Sequence, residues 1–189
     1  MTQRLRRGLT WLALPASVLA LGLARSPQEP AKEAPKPQYL GAEACKLCHT
    51  RKTVGGQFKI WKEEKHAKAF EVLATPQAKE VGAKQGVADP QKDPKCLKCH
   101  VTGFGLPEER YAKTYKASEG ITCEACHGAA GLYVDEEKHT KENAKSDKFG
   151  LVHPDEKTCR TCHNPESPSY KEFDYQKFFD QIKHPVPKK

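Results

Sequence analysis

Every cysteine in this sequence belongs to one repeated arrangement of chemically reactive residues. The 189-residue chain contains eight cysteines, and they form four pairs with two residues between the members of each pair. A histidine follows each pair directly, so the arrangement is Cys-x-x-Cys-His at all four places. A chemical explanation must therefore account for the histidines as well as for the thiols. The four motifs occupy residues 45–49, 96–100, 123–127 and 159–163.

Cys-x-x-Cys-His is the attachment sequence of c-type haem. In that chemistry the two thiols add to the vinyl groups of the porphyrin, and the adjacent histidine ligates the iron. We therefore predict four c-type haems, each with its iron bound by the histidine of its own motif. The predicted attachment positions are Cys45, Cys48, Cys96, Cys99, Cys123, Cys126, Cys159 and Cys162, and the predicted iron ligands are His49, His100, His127 and His163.

Three other uses of paired cysteines explain the pattern less well. A disulfide framework is common in exported chains with an even cysteine count, but it gives no reason for the four histidines. Tetrahedral zinc sites leave the fixed position of the histidine equally unexplained. A thioredoxin-type redox pair is expected once, in a different sequence context. Haem attachment accounts for both residue types at every motif.

Four histidines remain outside the motifs, which is one for each predicted haem. No methionine follows Met1, so the His/Met ligation that raises cytochrome c potentials is not available. We expect the sixth iron ligand, where there is one, to be a second imidazole, and we expect these haems to have low potentials. The sequence does not specify which histidine serves which haem. The candidate distal ligands are His66, His139, His153 and His184.

Two of these candidates lie in segments with helical periodicity. Residues 58–73 place apolar side chains and His66 on one face of a predicted helix. His184 closes a second predicted helix, which has an apolar face and is ended by Pro185. The other two candidates lie in polar segments, where a solvated histidine is the alternative to an iron ligand.

The N-terminal residues have the organisation of a secretory signal. Three arginines within the first seven residues precede an apolar stretch that ends in small residues at 22–24. That stretch has about sixteen residues, which is short for a membrane span. We therefore expect a periplasmic or otherwise exported protein that meets a membrane only if this segment is retained. The predicted organisation is a signal peptide over 1–24, a disordered Pro- and Lys-rich tether over 25–38 and a tetrahaem domain over 39–189.

The composition is too polar for a conventional core. Hydrophobic residues make up 37% of the chain and its mean hydropathy is −0.77, even with the apolar signal included. Side-chain burial alone has difficulty offsetting the entropy of such a chain. We therefore expect the haems to form the core of a small domain with sparse secondary structure. The apoprotein should be largely unfolded, because haem attachment would drive folding.

The basic charge indicates counterions rather than nucleic-acid binding. The net charge is +8, and removal of the three signal arginines leaves +5. Each haem brings propionates that offset this excess, and the sequence contains no nucleic-acid-binding motif. We expect a monomer whose partners are a redox protein donor and a redox protein acceptor.

The sequence resembles the tetrahaem cytochrome c-554 family of exported electron carriers. The resemblance extends from about Tyr39 to Pro187 and includes all four motifs in the same order. The matching stretches are YLGAEACKLCHTRK, QFKIWKEEKHAKAF, KDPKCLKCHVTGFG, GITCEACHGAAGLYV and CRTCHNPESPSYKEFDY.

This resemblance implies a mainly helical fold with haems in closely stacked pairs and mostly bis-His irons. It implies distal ligands at His66, His139 and His153, and one five-coordinate haem, which we expect at His100. The chain departs from the family pattern after its fourth motif, where it is shorter. It also lacks a proline after the first glycine of CEACHGAAG. The sequence leaves open whether His184 completes the coordination at His100.

Three functions are compatible with four such haems. An electron carrier needs only closely spaced redox centres whose potentials the protein sets. A haem enzyme that reduces a small nitrogen oxide needs one open iron and nearby acids, and none of the motifs ends in the lysine of multihaem nitrite reductases. A filament subunit would need a histidine that ligates iron in a neighbouring copy. We favour the electron carrier, with the enzyme as the alternative.

Overall fold

The computed structural model describes residues 36–134 and 149–185, and within them the chain is helical. Seven short α-helices occur in these residues, and the extended pairing there is limited to one isolated parallel bridge between Tyr39 and Tyr111. The prediction of a mainly α domain is confirmed. The helices are α1 (Ala42–His49), α2 (Gln57–Glu63), α3 (Pro76–Lys84), α4 (Pro94–His100), α5 (Cys123–His127), α6 (Glu156–Arg160) and α7 (Tyr175–Ile182).

Single turns of 3-10 helix connect these elements. No helix among the described residues is both long and apolar enough to span a bilayer. The predicted signal peptide, most of the predicted tether and His139 lie outside the described residues. The 3-10 turns are Lys52–Val54, His66–Lys68, Glu71–Ala74, Glu108–Arg110 and Ala117–Glu119.

Four helices begin at side chains that cap their free backbone N–H groups. Thr75 starts α3 by accepting a hydrogen bond from Ala78 N, and Asp93 starts α4 by accepting one from Lys95 N. Asp155 forms a capping box at the start of α6, and Asp174 caps α7. Such caps typically contribute about 1 kcal/mol to helix stability. They define where the helices of the second and fourth motifs begin.

The helix predicted through residues 58–73 is interrupted in the structure. α2 ends at Glu63, and Glu64 adopts an extended conformation with ψ of 166°. The chain then approaches the segment before the third motif, where Ile121 N donates to His66 O over 3.0 Å. Gly120, with φ of +71°, allows this approach, since a Cβ there would meet His66 O at 3.0 Å. Tertiary hydrogen bonds therefore override the helical periodicity.

The apolar core of the described residues is small. Its largest cluster contains Leu73, Leu97 and Val101, with Phe70 and Tyr115 packed against it. Apart from Pro90, only eight apolar side chains are buried among the described residues, and three of them are alanines. The eight are Ala42, Phe58, Leu73, Val87, Leu97, Val101, Ala129 and Ala130.

A buried threonine pair joins the loop after α4 to the segment before α5. The Thr102 hydroxyl donates to Gly120 O over 3.0 Å and accepts from Thr122 N over 2.7 Å. The Thr122 hydroxyl donates to the hydroxyl oxygen of Thr102 over 3.1 Å. Both threonines are only 2% exposed, so water cannot replace these bonds.

We predict that the substitution Thr102→Val lowers the free energy of unfolding of the holoprotein by about 1–3 kcal/mol, because it leaves Thr122 N without its acceptor in a buried site. Urea unfolding followed by circular dichroism measures this change. Thr114→Val is the matched control, since the Thr114 hydroxyl also donates to a carbonyl, Leu40 O, but is exposed. An equal loss of stability in the two variants would contradict the prediction.

Candidate haem-binding centres

The four motifs are presented at the ends of short helices. In α1, α4 and α5 the helix ends at the histidine of its motif, so both cysteines lie in the helix. The helix of the fourth motif is shorter. α6 ends at Arg160, so Cys162 and His163 lie in the turn that follows the helix. All eight cysteines are partly buried free thiols, without disulfides. No group of three or more potential metal-ligating side chains converges in the described part of the chain.

Thiols of different motifs lie beside one another in pairs. Cys45 of the first motif contacts Cys123 of the third, and this contact raises the pKa of Cys45 and lowers that of Cys123. Burial and the neighbouring Cys162 thiol raise the pKa of Cys99 to about 11, so the second motif lies beside the fourth. The helices agree with this pairing, since α1 packs against α5. The first and third motifs therefore form one pair, and the second and fourth form another.

The two pairs are also adjacent to each other. Burial and the nearby Cys159 thiol raise the pKa of Cys126 to about 11, so the third motif lies close to the fourth. On the other side, Lys98 between the cysteines of the second motif pairs with Glu166, which follows the fourth motif, at 2.9 Å. The spatial order of the motifs is therefore first, third, fourth and second, which differs from their order in the sequence.

Three motif histidines have an acceptor on the Nδ1 side of the ring. His100 Nδ1 lies 2.5 Å from Ala69 O, and His127 Nδ1 lies 3.1 Å from Val152 O. Because a carbonyl oxygen can only accept, Nδ1 carries the proton in both rings, and the Nε2 lone pair remains available for a metal. An acceptor on the outer nitrogen is the usual partner of a metal-ligating histidine, since it fixes both the tautomer and the orientation of the ring.

The third such histidine, His49, is held by Gln57. Its Nδ1 lies 3.2 Å from Gln57 Oε1. The orientation of the Gln57 amide is defined by its other end, where Nε2 donates to Val54 O and to Pro185 O. Gln57 Oε1 is therefore the acceptor, and Nδ1 of His49 carries the proton. His163 differs, because its ring stacks on Phe173 with the ring centres 4.7 Å apart and the planes inclined by 13°.

Two of the histidines outside the motifs lie opposite motif histidines. The centre of the His66 ring is 6.0 Å from that of His163, and the centre of the His184 ring is 5.8 Å from that of His127. Burial lowers the pKa of all four rings. These imidazoles are therefore neutral near pH 7, which is the form that binds metals.

The spacing of these ring pairs fits one metal ion between two imidazoles. A metal–imidazole bond is about 2.0–2.1 Å long, and the ring centre lies about 1 Å beyond the nitrogen, so two imidazoles on opposite sides of one ion have centres about 6 Å apart. In addition, His184 Nδ1 is buried without a hydrogen-bond partner among the described residues. Together with the small apolar core, these observations show that the residues fit haem.

The other two candidate distal ligands, His153 and His139, are not paired with a motif histidine ring in the described residues. His153 is exposed, and it follows Val152, which exchanges two hydrogen bonds with His127. Its charge helps to lower the pKa of His127, after burial and together with the charge of His184, so it lies near that ring. His139 lies outside the described residues. Within those residues the structure pairs the rings of His66 and His184 with motif histidines, whereas the ring of His153 has no such ring partner.

Several contacts at the motifs were not anticipated from the sequence. Gln57 and the carbonyl oxygens of Ala69 and Val152 hold histidine rings, but a glutamine or a carbonyl carries no motif. Glu124 lies between the cysteines of the third motif and is 2% exposed, although glutamate at that position would normally be taken as a surface residue. Only the fold reveals these partners, since each contacts its histidine or backbone group across a turn or a longer loop.

Comparisons with known proteins agree with this picture. The family model described as cytochrome c554 and c-prime matches residues 44–128. Cytochrome c-554 of Nitrosomonas europaea is 32% identical over 159 residues, which cover 76% of this chain and 64% of that protein. The chain thus spans a little less than two thirds of the length of this relative. No solved structure matches the chain.

The helical fold and its four motifs define a small c-type cytochrome, whose cofactors are c-type haems. More narrowly, these comparisons support the cytochrome c-554 family, as the resemblance of its motifs predicted.

Proposed function

We propose that this cytochrome is an exported electron carrier that moves electrons along a row of four haems between a donor and an acceptor protein. The observation that carries the proposal is the spatial order of the motifs. Each motif has thiols next to those of a neighbouring motif. Haems attached there would therefore be closely spaced along the whole row, in the order first, third, fourth and second motif. Haem supplies one-electron chemistry at its iron, and close spacing is what a carrier requires of the protein.

In this proposal the eight motif cysteines hold the four haems and the four motif histidines are the proximal ligands. His66 is the distal ligand opposite His163, and His184 is the distal ligand opposite His127. These assignments are supported by the ring spacings of 6.0 and 5.8 Å. His139 and His153 remain as candidates for the irons at His49 and His100, and the iron at His100 is the one that we expect to be five-coordinate.

The role of the polypeptide is to hold rings and to exclude other ligands. Hydrogen bonds to the outer nitrogens of His49, His100 and His127 fix these rings, which makes the ligands more basic. Phe173 stacks between His163 and Phe178 of α7, so aromatic side chains cover the fourth motif. Imidazole on both faces of an iron, without methionine, favours low potentials and leaves no position for an external ligand.

The location and partners follow from the same chemistry. The N-terminal pattern is that of a signal peptide, so we propose that the folded part acts in the periplasm or outside the cell, as a monomer. Its partners are redox proteins, one that donates electrons and one that accepts them. No catalytic acid or base is needed for this function.

Protein-film voltammetry of the matured holoprotein tests the carrier proposal. We expect reversible one-electron transitions that sum to four electrons per chain, since each haem accepts one electron. We expect no catalytic current when nitrite, nitric oxide or hydroxylamine is added, because distal imidazoles close three of the four irons and a carrier needs no reaction at the iron of His100. A catalytic current with one of these substrates would contradict the carrier and favour the alternative, a haem enzyme that reduces a small nitrogen oxide.

The distal assignments are tested by His66→Ala and His184→Ala. Each variant should retain four haems, because attachment depends on the cysteines, but one additional ferric haem should become high-spin and bind carbon monoxide when reduced. Low-temperature electron paramagnetic resonance and carbon monoxide difference spectra measure these changes. Lys65→Ala and Lys183→Ala are matched controls, since these exposed neighbours should not alter either spectrum. Spectra of the histidine variants that match those of the unaltered protein would overturn the assignments.

A further inference from the structure

A buried carboxylate lies inside the third motif, between its two cysteines. Glu124 is only 2% exposed, and no ion pair with a lysine or arginine is recorded for it among the described residues. Burial of a charge without a partner is costly, so its surroundings must supply strong hydrogen bonds. None of the proposed haem ligands or attachment residues uses this side chain, and the function proposed above does not explain it.

Backbone N–H groups from two separate segments surround the carboxylate. Oε1 accepts hydrogen bonds from Leu40 N and Ala130 N, both at 2.9 Å. Oε2 accepts from Gly41 N at 2.8 Å and from Leu40 N at 3.1 Å. Bonds from N–H groups to an ionised carboxylate are about twice as strong as bonds between neutral groups, so they retain the negative charge in the interior.

These bonds define the start of the helix that carries the first motif. α1 begins after Gly41, which has φ of 87° and, as a glycine, no side chain that could cap the helix. Its caps come instead from the segment of the third motif. Glu124 binds Leu40 N and Gly41 N, and Glu119 binds Ala42 N at 2.6 Å. Two carboxylates therefore hold the start of α1 to the segment of the third motif, and Glu124 is the fully buried one.

The charge of Glu124 also reaches both motifs. The pKa of Cys45 is raised first by its contact with Cys123, then by burial, and further by the negative charge of Glu124. The same charge acts on Cys123, which directly precedes Glu124. Cys45 and Cys123 are the attachment positions of two different haems in the proposed carrier, so one carboxylate is close to both.

We propose that Glu124 is a positioning residue for the haems of the first and third motifs and that its negative charge lowers the reduction potentials of both. The inference rests on the proposed function. A ferric haem carries one more positive charge than a ferrous haem, so a nearby buried anion stabilises the ferric form. Because the hydrogen bonds of Glu124 join α1 to α5, the same side chain also sets the spacing of this pair.

The substitution Glu124→Gln in the matured holoprotein tests the charge. We expect two of the four haems to shift towards the ferrous form by about tenfold in their redox equilibrium, which is about 59 mV for a one-electron couple. Optical redox titration measures the four potentials. The matched control is Glu43→Gln, which also removes a carboxylate from the region of α1. Glu43 is half exposed and pairs with Lys46 at 3.1 Å, so solvent screens it and the shift should be much smaller.

A second variant separates the charge from the positioning. Glu124→Asp retains the charge but cannot reach all three N–H groups, so its potentials should stay close to those of the unaltered protein. In the Glu124→Asp variant, the magnetic coupling between the paired ferric haems and the thermal stability of the protein should both decrease. The charge effect would be overturned if the potentials of Glu124→Gln differed from those of the unaltered protein by no more than the potentials of Glu43→Gln do. Unchanged coupling in both Glu124 variants would overturn the positioning role.

These outcomes are distinct from a failure of the proposed function. If the unaltered protein contained no haem or took up no electrons, the carrier proposal itself would be wrong. If it contained four haems and took up four electrons while Glu124→Gln changed neither potential nor coupling, only the role of Glu124 would be wrong.

Discussion

The described residues bury nine apolar side chains, of which three are alanines and one is Pro90, and this amount of burial cannot by itself stabilise a domain of this length. Covalently attached haem resolves this constraint. A porphyrin provides a large apolar surface that needs little polypeptide to hold it, because two cysteines and one histidine fix each ring. Most features of the fold follow from that requirement. The helices are short, three of them end at the histidine of a motif, and the amphipathic helix α7 buries none of its residues fully against the protein.

The polypeptide contributes mainly orientation. Acceptors on Nδ1 of three motif histidines leave Nε2 free, and aromatic stacking orients the fourth ring. Connections between distant segments supply these contacts, such as Gln57, which joins His49 to the backbone at Pro185. The spatial order of the motifs depends on the same long-range contacts. It differs from the order in the sequence, so electrons that move along the row would pass between segments that are far apart in the chain.

The sequence predicts the chemistry of this protein better than its geometry. The class of cofactor and the family were predictable, because thioether attachment requires fixed residue types at a fixed spacing. The mainly α class followed from the resemblance to the family, and the helix that His184 follows was predictable from periodicity; both are confirmed. The helix through residues 58–73 was predicted wrongly, since α2 ends at Glu63 and His66 O beyond it accepts a hydrogen bond from the distant Ile121 N. No local pattern identifies Glu124 as buried, because the N–H groups that it binds come largely from residues more than 80 positions earlier.

The central claim is that four covalently bound haems form the interior of this protein. The most direct test is the intact mass of the protein under denaturing conditions, after production in a host that matures c-type cytochromes. The account predicts a coloured protein whose mass exceeds that of the polypeptide by four haems that denaturant and acid do not remove. A colourless protein with the mass of the polypeptide alone would contradict it.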